Sequence, residues 1–192
     1  MVINLNCAAI LKHFEYHKEV KHKLLSLINN AHSDHMKNDI YGDKIERLDW
    51  SKNLDHNRDW IKYVKPKLEK HFNKCAKILN YEKCEVHGMW YQQYFKNNTH
   101  TWHVHGENYT GVYYLELPKN SPKTELLDQI DINKKITIEA VEGDVVIFPS
   151  FIIHRSPKIT SNLRKTIISF NLNFPKIKES ILPFLNNNVK IV

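Results

Sequence analysis

No stretch of the 192-residue sequence is apolar for long enough to cross a bilayer, so no membrane-spanning helix is expected. The opening "MVINLNCAAILKHFEYHKEV" has no basic segment followed by a clean apolar run, so no signal peptide is expected either. Cysteine is scarce. Cys7, Cys75 and Cys84 are odd in number and lack the spacing of a metal site, which reads as reduced thiols in a cytoplasmic protein. There is no basic block and no arginine-rich arm. The net charge of +7 comes from scattered lysines, so nucleic-acid binding is not expected, and the charge hints at no more than an acidic substrate or partner. Internal repeats and low-complexity tracts are also missing.

What is present suits one domain with a sizeable core: 42% hydrophobic and 26% charged residues. Ile10, Leu11, Phe14, Val20, Leu24, Leu25 and Ile28 recur at helical spacing and predict a helix over 8–31. Trp60, Ile61, Val64, Leu68, Phe72, Ala76 and Leu79 predict a second over 57–80, with Pro66 in its early turns as a kink or a shifted start. Between them, 33–57 reads as a polar connection with room for one turn of helix. After Tyr81 the period changes. Segments 84–95, 109–117, 135–141, 144–150 and 164–174 are rich in β-branched and aromatic residues and are separated by Pro, Gly, Asn and Asp. Helices followed by strands predict an α+β fold, with the helices on one side of an antiparallel, jelly-roll-like double sheet. The expected division is a helical support over 1–80, a β core over 81–175 and a surface tail over 176–192.

Within "TWHVHGENYTGVYYLELP" (101–118), His103 and His105 are two apart, so on a strand they aim at one space. Neutral imidazole ligates iron, zinc, copper or nickel. In a chain with twelve histidines such a pair is weak on its own. It gains weight from "EGDVVIFPSFIIHRSPKITSNLRKTIISFNLNF" (142–174), where His154 follows an apolar strand and Arg164 opens the next. A charge at the head of a core-like strand needs an anionic partner, and a guanidinium suits a carboxylate. Thr166 shares the Arg164 face by alternation.

Together these residues resemble the 2-oxoglutarate- and iron(II)-dependent oxygenases, in particular the prolyl-hydroxylase-like branch, over roughly 88–174. That family carries H-x-D/E, a distal histidine, and an Arg or Lys about ten residues later. The resemblance implies a double-stranded β-helix, the cupin-like jelly-roll barrel, with the N-terminal helices packed on one sheet. It implies Fe(II), 2-oxoglutarate and O2 as cofactor and co-substrates, with ascorbate as a supporting reductant. It implies hydroxylation of a C–H bond, in a prolyl residue, another peptide or a small molecule, with release of succinate and CO2. Two ligand sets stay open: His103, His105 and His154, or a register shifted by two in which Glu107 supplies the carboxylate. Arg164 would hold the distal carboxylate of 2-oxoglutarate, with Thr166 beside it, and Tyr94, then Tyr113, would add a hydroxyl. His87, His100 and the N-terminal histidines read as surface residues. The rival is a cupin-like metal protein without 2-oxoglutarate chemistry.

Overall fold

The computed structural model describes residues 7–181. Two antiparallel sheets dominate. In chain order the elements are β1 (Ile10–His13), α1 (His17–Asn29), β2 (Asp34–Asn38), β3 (Asp43–Leu48), a 3-10 turn at Trp50–Lys52, α2 (Asp59–Ile78), β4 (Glu85–Tyr94), β5 (His100–His103), β6 (Tyr109–Glu116), β7 (Glu125–Leu127), β8 (Lys135–Thr137), β9 (Asp144–Pro149), β10 (His154–Ser156) and β11 (Lys165–Asn173). The larger sheet runs β1-β9-β6-β11-β4-β3-β2 and the smaller β5-β10-β7-β8.

The central strands of the large sheet carry side chains into two separate cores. Met89, Tyr91, Tyr113, Leu115, Ile168 and Phe170 face the helices and pack with Val20, Leu24, Ile28, Trp60, Leu68 and Phe72. Tyr94, Val112, Tyr114, Phe148 and Ile167 alternate with them and meet Leu126, Ala140, Ile152 and Ile159. Strand periodicity of two makes this division. The sheet and helices approach closely: the Phe72 and Phe170 ring centroids are 4.4 Å apart.

Three expectations change in the first 80 residues. Ile10–His13 is an edge strand paired with β9, and the helix starts only at His17, because Ile10 and Leu11 serve a sheet edge and not a helical stripe. The polar connection holds the β2–β3 hairpin, which extends the large sheet beyond β4. The N-terminal part therefore contributes three strands as well as two helices. Pro66 lies inside α2, and the helix runs through it to Ile78. Among the described part of the tail, Ile177 bridges to Tyr81; residues 182–192 lie outside the described residues.

Candidate metal centre and co-substrate pocket

β5 ends at His103, and His154 opens β10 directly opposite it in register. His105 lies just beyond β5, its ring 5.1 Å from those of both other histidines. One ligand atom from each of His103, His105 and His154 falls within 4.8 Å of the other two. The cavity they face is lined from the large sheet by Trp90, Gln92 and Tyr94 of β4, Val112 of β6, Phe148 of β9 and Ser169 of β11, and from the small sheet by Ser156 of β10.

Two of the imidazoles have fixed tautomers. His103 Nδ1–H donates to the Thr101 carbonyl at 2.7 Å, and His154 Nδ1–H donates to the Ile152 carbonyl at 2.9 Å. Each therefore presents an unprotonated Nε2, the arrangement that a carbonyl-anchored metal ligand needs. Burial, reinforced by the neighbouring histidines, pushes His105 down to about 4 and His154 to about 2; burial also lowers His103. Neutral rings with free lone pairs suit a divalent cation.

The alternative in which Glu107 supplies a carboxylate does not match the arrangement of these side chains. Glu107 faces His87 at 3.4 Å and is not in the three-histidine group. His100, expected at the surface, instead stacks on His103 with ring centroids 3.9 Å apart and lines the cavity. His17 is also buried, its Nδ1 2.7 Å from the Tyr113 hydroxyl.

Arg164 does not reach the cavity. Its Nε and Nη2 donate to the two Glu116 carboxylate oxygens at 2.8 and 3.0 Å, and Nη1 donates to Asn29 at 3.0 Å. The anionic partner that its charge requires is internal. Thr166 shares that face, as alternation demands, and donates to Glu116 as well. Tyr113 belongs to the helix-side core, so neither it nor Thr166 faces the histidines. Tyr94 does line the cavity.

Lys165, one residue on, points the other way. Its side chain is fully buried, and Nζ donates to the Pro122 carbonyl at 2.8 Å and to Ser156 Oγ at 3.0 Å. Nζ also sits 5.2 Å from the centroid of the Tyr94 ring. These partners are neutral. Burial pulls its pKa down to about 7. Ser156 and Tyr94 both line the histidine cavity, so the Lys165 amine lies directly behind two of its wall residues. The sequence signal was available: the resembling family accepts Lys as well as Arg, and Lys165 falls eleven residues after His154.

No family model and no curated protein matches the sequence. Solved structures do. One is an oxidoreductase of the 2OG-Fe(II) oxygenase family from Burkholderia pseudomallei (TM-score 0.70, 8% identity, 88% of this chain and 87% of that one). Another is a prolyl hydroxylase from Trichoplax adhaerens in complex with a hypoxia inducible factor peptide (0.63, 15%, 86% and 83%). A third is HygX from Streptomyces hygroscopicus with nickel and 2-oxoglutarate bound (0.63, 8%, 90% and 85%). At these identities the likeness shows a shared fold, and it extends over nearly the whole chain.

Proposed function

We propose that the chain is a 2-oxoglutarate- and Fe(II)-dependent oxygenase, whose two sheets form the double-stranded β-helix and whose metal ligands are His103, His105 and His154. One observation carries this beyond a bare metal site. Lys165 is a buried amine with no carboxylate partner among the described residues, bonded to Ser156 and close to Tyr94, two residues that line the cavity of the three histidines. An ammonium buried against neutral groups is costly until an anion reaches it. A dicarboxylate that chelates the metal through its 2-oxo acid end would extend its far carboxylate toward Lys165, with Ser156 beside it. Hydrogen bonds to charged groups are worth about 1.5–3 kcal/mol net each.

When bound, Fe(II) would let O2 oxidise both co-substrate and substrate: 2-oxoglutarate would lose CO2 and take one oxygen atom to become succinate, and the other oxygen atom would enter a substrate C–H bond as hydroxyl. The protein's part is positional. Thr101 and Ile152 fix two ligand tautomers. Lys165 orients the co-substrate, and Trp90 and Phe148 make an apolar wall that limits water. A groove of about 700 Å³ along β2, lined by Met36, Leu48 and Trp50, gives a route for a peptide or small-molecule substrate. His100 lines both this groove and the metal cavity. The cupin-like alternative gives Lys165 no task.

The test is incubation with Fe(II), 2-oxoglutarate, ascorbate and O2, with succinate measured by mass spectrometry. Succinate above the metal-free control is expected, even without prime substrate. Protein that holds iron but neither binds 2-oxoglutarate nor yields succinate would refute the oxygenase assignment.

A further inference from the structure

Three neutral imidazoles leave a bound divalent ion one unit more positive than two imidazoles and a carboxylate. The structure places a carboxylate one residue removed from the ligand set. Asp43 Oδ1 accepts two hydrogen bonds from Thr101, from the backbone N–H at 2.7 Å and from Oγ1 at 2.7 Å. The carbonyl of the same Thr101 accepts from His103 Nδ1–H at 2.7 Å. Asp43 is half-buried and heads β3.

We propose that Asp43 is the outer-sphere carboxylate of this centre: it supplies, through Thr101, the negative charge and the orientation that a ligating carboxylate gives elsewhere. It is a positioning residue, and its assignment rests on the three-histidine metal site.

Fastening β5 to the hairpin does not require it. Lys44 and Thr99 already exchange backbone hydrogen bonds at 2.9 and 2.8 Å beside it. A residue there for strand attachment alone could be neutral. Both donors from Thr101 converge on one carboxylate oxygen, the strong charge-assisted arrangement. Partners bonded directly to a ligating histidine typically contribute about 10–100-fold to metal affinity; Asp43 acts on such a partner, Thr101, so the low end of that range is expected.

Asp43→Asn separates charge from contact, because an amide oxygen can still accept from Thr101. The measurement is Co(II) affinity by optical titration of the whole chain without 2-oxoglutarate, with melting temperature as the check on folding. We expect Asp43→Asn to bind Co(II) about 10-fold or more weakly at an unchanged melting temperature, and Asp39→Asn, on the exposed turn of the same hairpin, to match the parent. Adding His105→Asp to Asp43→Asn returns the charge as a direct ligand and should recover most of the affinity. Affinity of Asp43→Asn within twofold of the parent, or no recovery in the double variant, would overturn the proposal. A parent that binds no Co(II) overturns both it and the metal site. With no 2-oxoglutarate in the titration, failure of the oxygenase assignment alone leaves the comparison intact.

Discussion

Lys165 and Tyr94 are register partners across β11 and β4, and the lysine Nζ lies 5.2 Å from the tyrosine ring centroid. Directly opposed residues of an antiparallel pair share a face. Here that face is the one carrying Gln92, Trp90 and the histidine cavity, while Arg164 and Thr166 lie with Gln93 on the reverse.

Loss of any triad member should remove most metal binding. His154→Ala is expected to weaken Co(II) affinity by more than the roughly 10–100-fold typical of an outer partner, whereas Glu107→Gln should leave it unchanged. Equilibrium dialysis with metal analysis reads both. Retention of metal by His154→Ala together with loss in Glu107→Gln would restore the shifted register.

Co-substrate binding should take up a proton. In the free protein the Lys165 ammonium has a pKa of about 7, below its ordinary 10.5, because of burial. A carboxylate at Nζ favours the charged form and raises that pKa. At pH 8 the free amine is mostly neutral, so each 2-oxoglutarate bound should draw in close to one proton, and affinity should fall as pH rises above 7. Calorimetry in two buffers of different ionisation enthalpy measures the uptake. Zero uptake at pH 8 would show that the ligand does not meet a neutral lysine.

His71 makes a separate contribution to acid lability. It is 1% exposed, packed edge-on to Phe14 at 5.5 Å, and burial lowers its pKa from 6.5 to about 4. Between those values the unfolded chain binds the proton and the folded chain does not, so stability falls as pH drops from 6.5 to 4 and is unaffected above. At about 1.4 kcal/mol per pH unit the loss is at most about 3–4 kcal/mol. Chemical denaturation of His71→Leu against the parent, at pH 7 and pH 4.5, should show the shallower loss in the variant. Parallel pH profiles would contradict this.

Gly111 is required where β6 crosses β9. A Cβ there would lie 2.1 Å from the Val146 carbonyl oxygen and 2.7 Å from the Phe170 ring. Backbone cannot yield as a flexible side chain does. Gly111→Ala should therefore destabilise by roughly 1–3 kcal/mol, the usual range for overpacking, or prevent folding. A melting temperature equal to the parent's would contradict the packing described.

The long β4, β6, β9 and β11 strands were legible because their alternation is dense and flanked by turn residues. Their short partners were not. "HTWH", "HRS" and "DHMKN" are polar and as short as three residues, so they have no period to detect, and they become strands only through pairing across the chain. The same shortness hid His100, which stacks on His103 within β5, and Asp43, which meets Thr101 only once β3 and β5 are neighbours. That His103, His105 and His154 come together was legible from spacing, because two residues apart on a strand share a face, although the resembling family's pattern asks for a carboxylate where His105 stands. The sequence reading put a cation on the cavity face at Arg164, whereas the buried one on that face is Lys165. On a strand a one-residue step reverses the face, and sequence alone did not show that Glu116 would claim Arg164.

The most direct test is 2-oxoglutarate binding to metal-loaded protein by calorimetry, comparing the parent with Lys165→Ala and Arg164→Ala. The account predicts binding in the parent and in Arg164→Ala, and a loss of at least tenfold in Lys165→Ala, about 1.4 kcal/mol, with metal retained in all three. Binding that survives in Lys165→Ala and fails in a folded Arg164→Ala would contradict it.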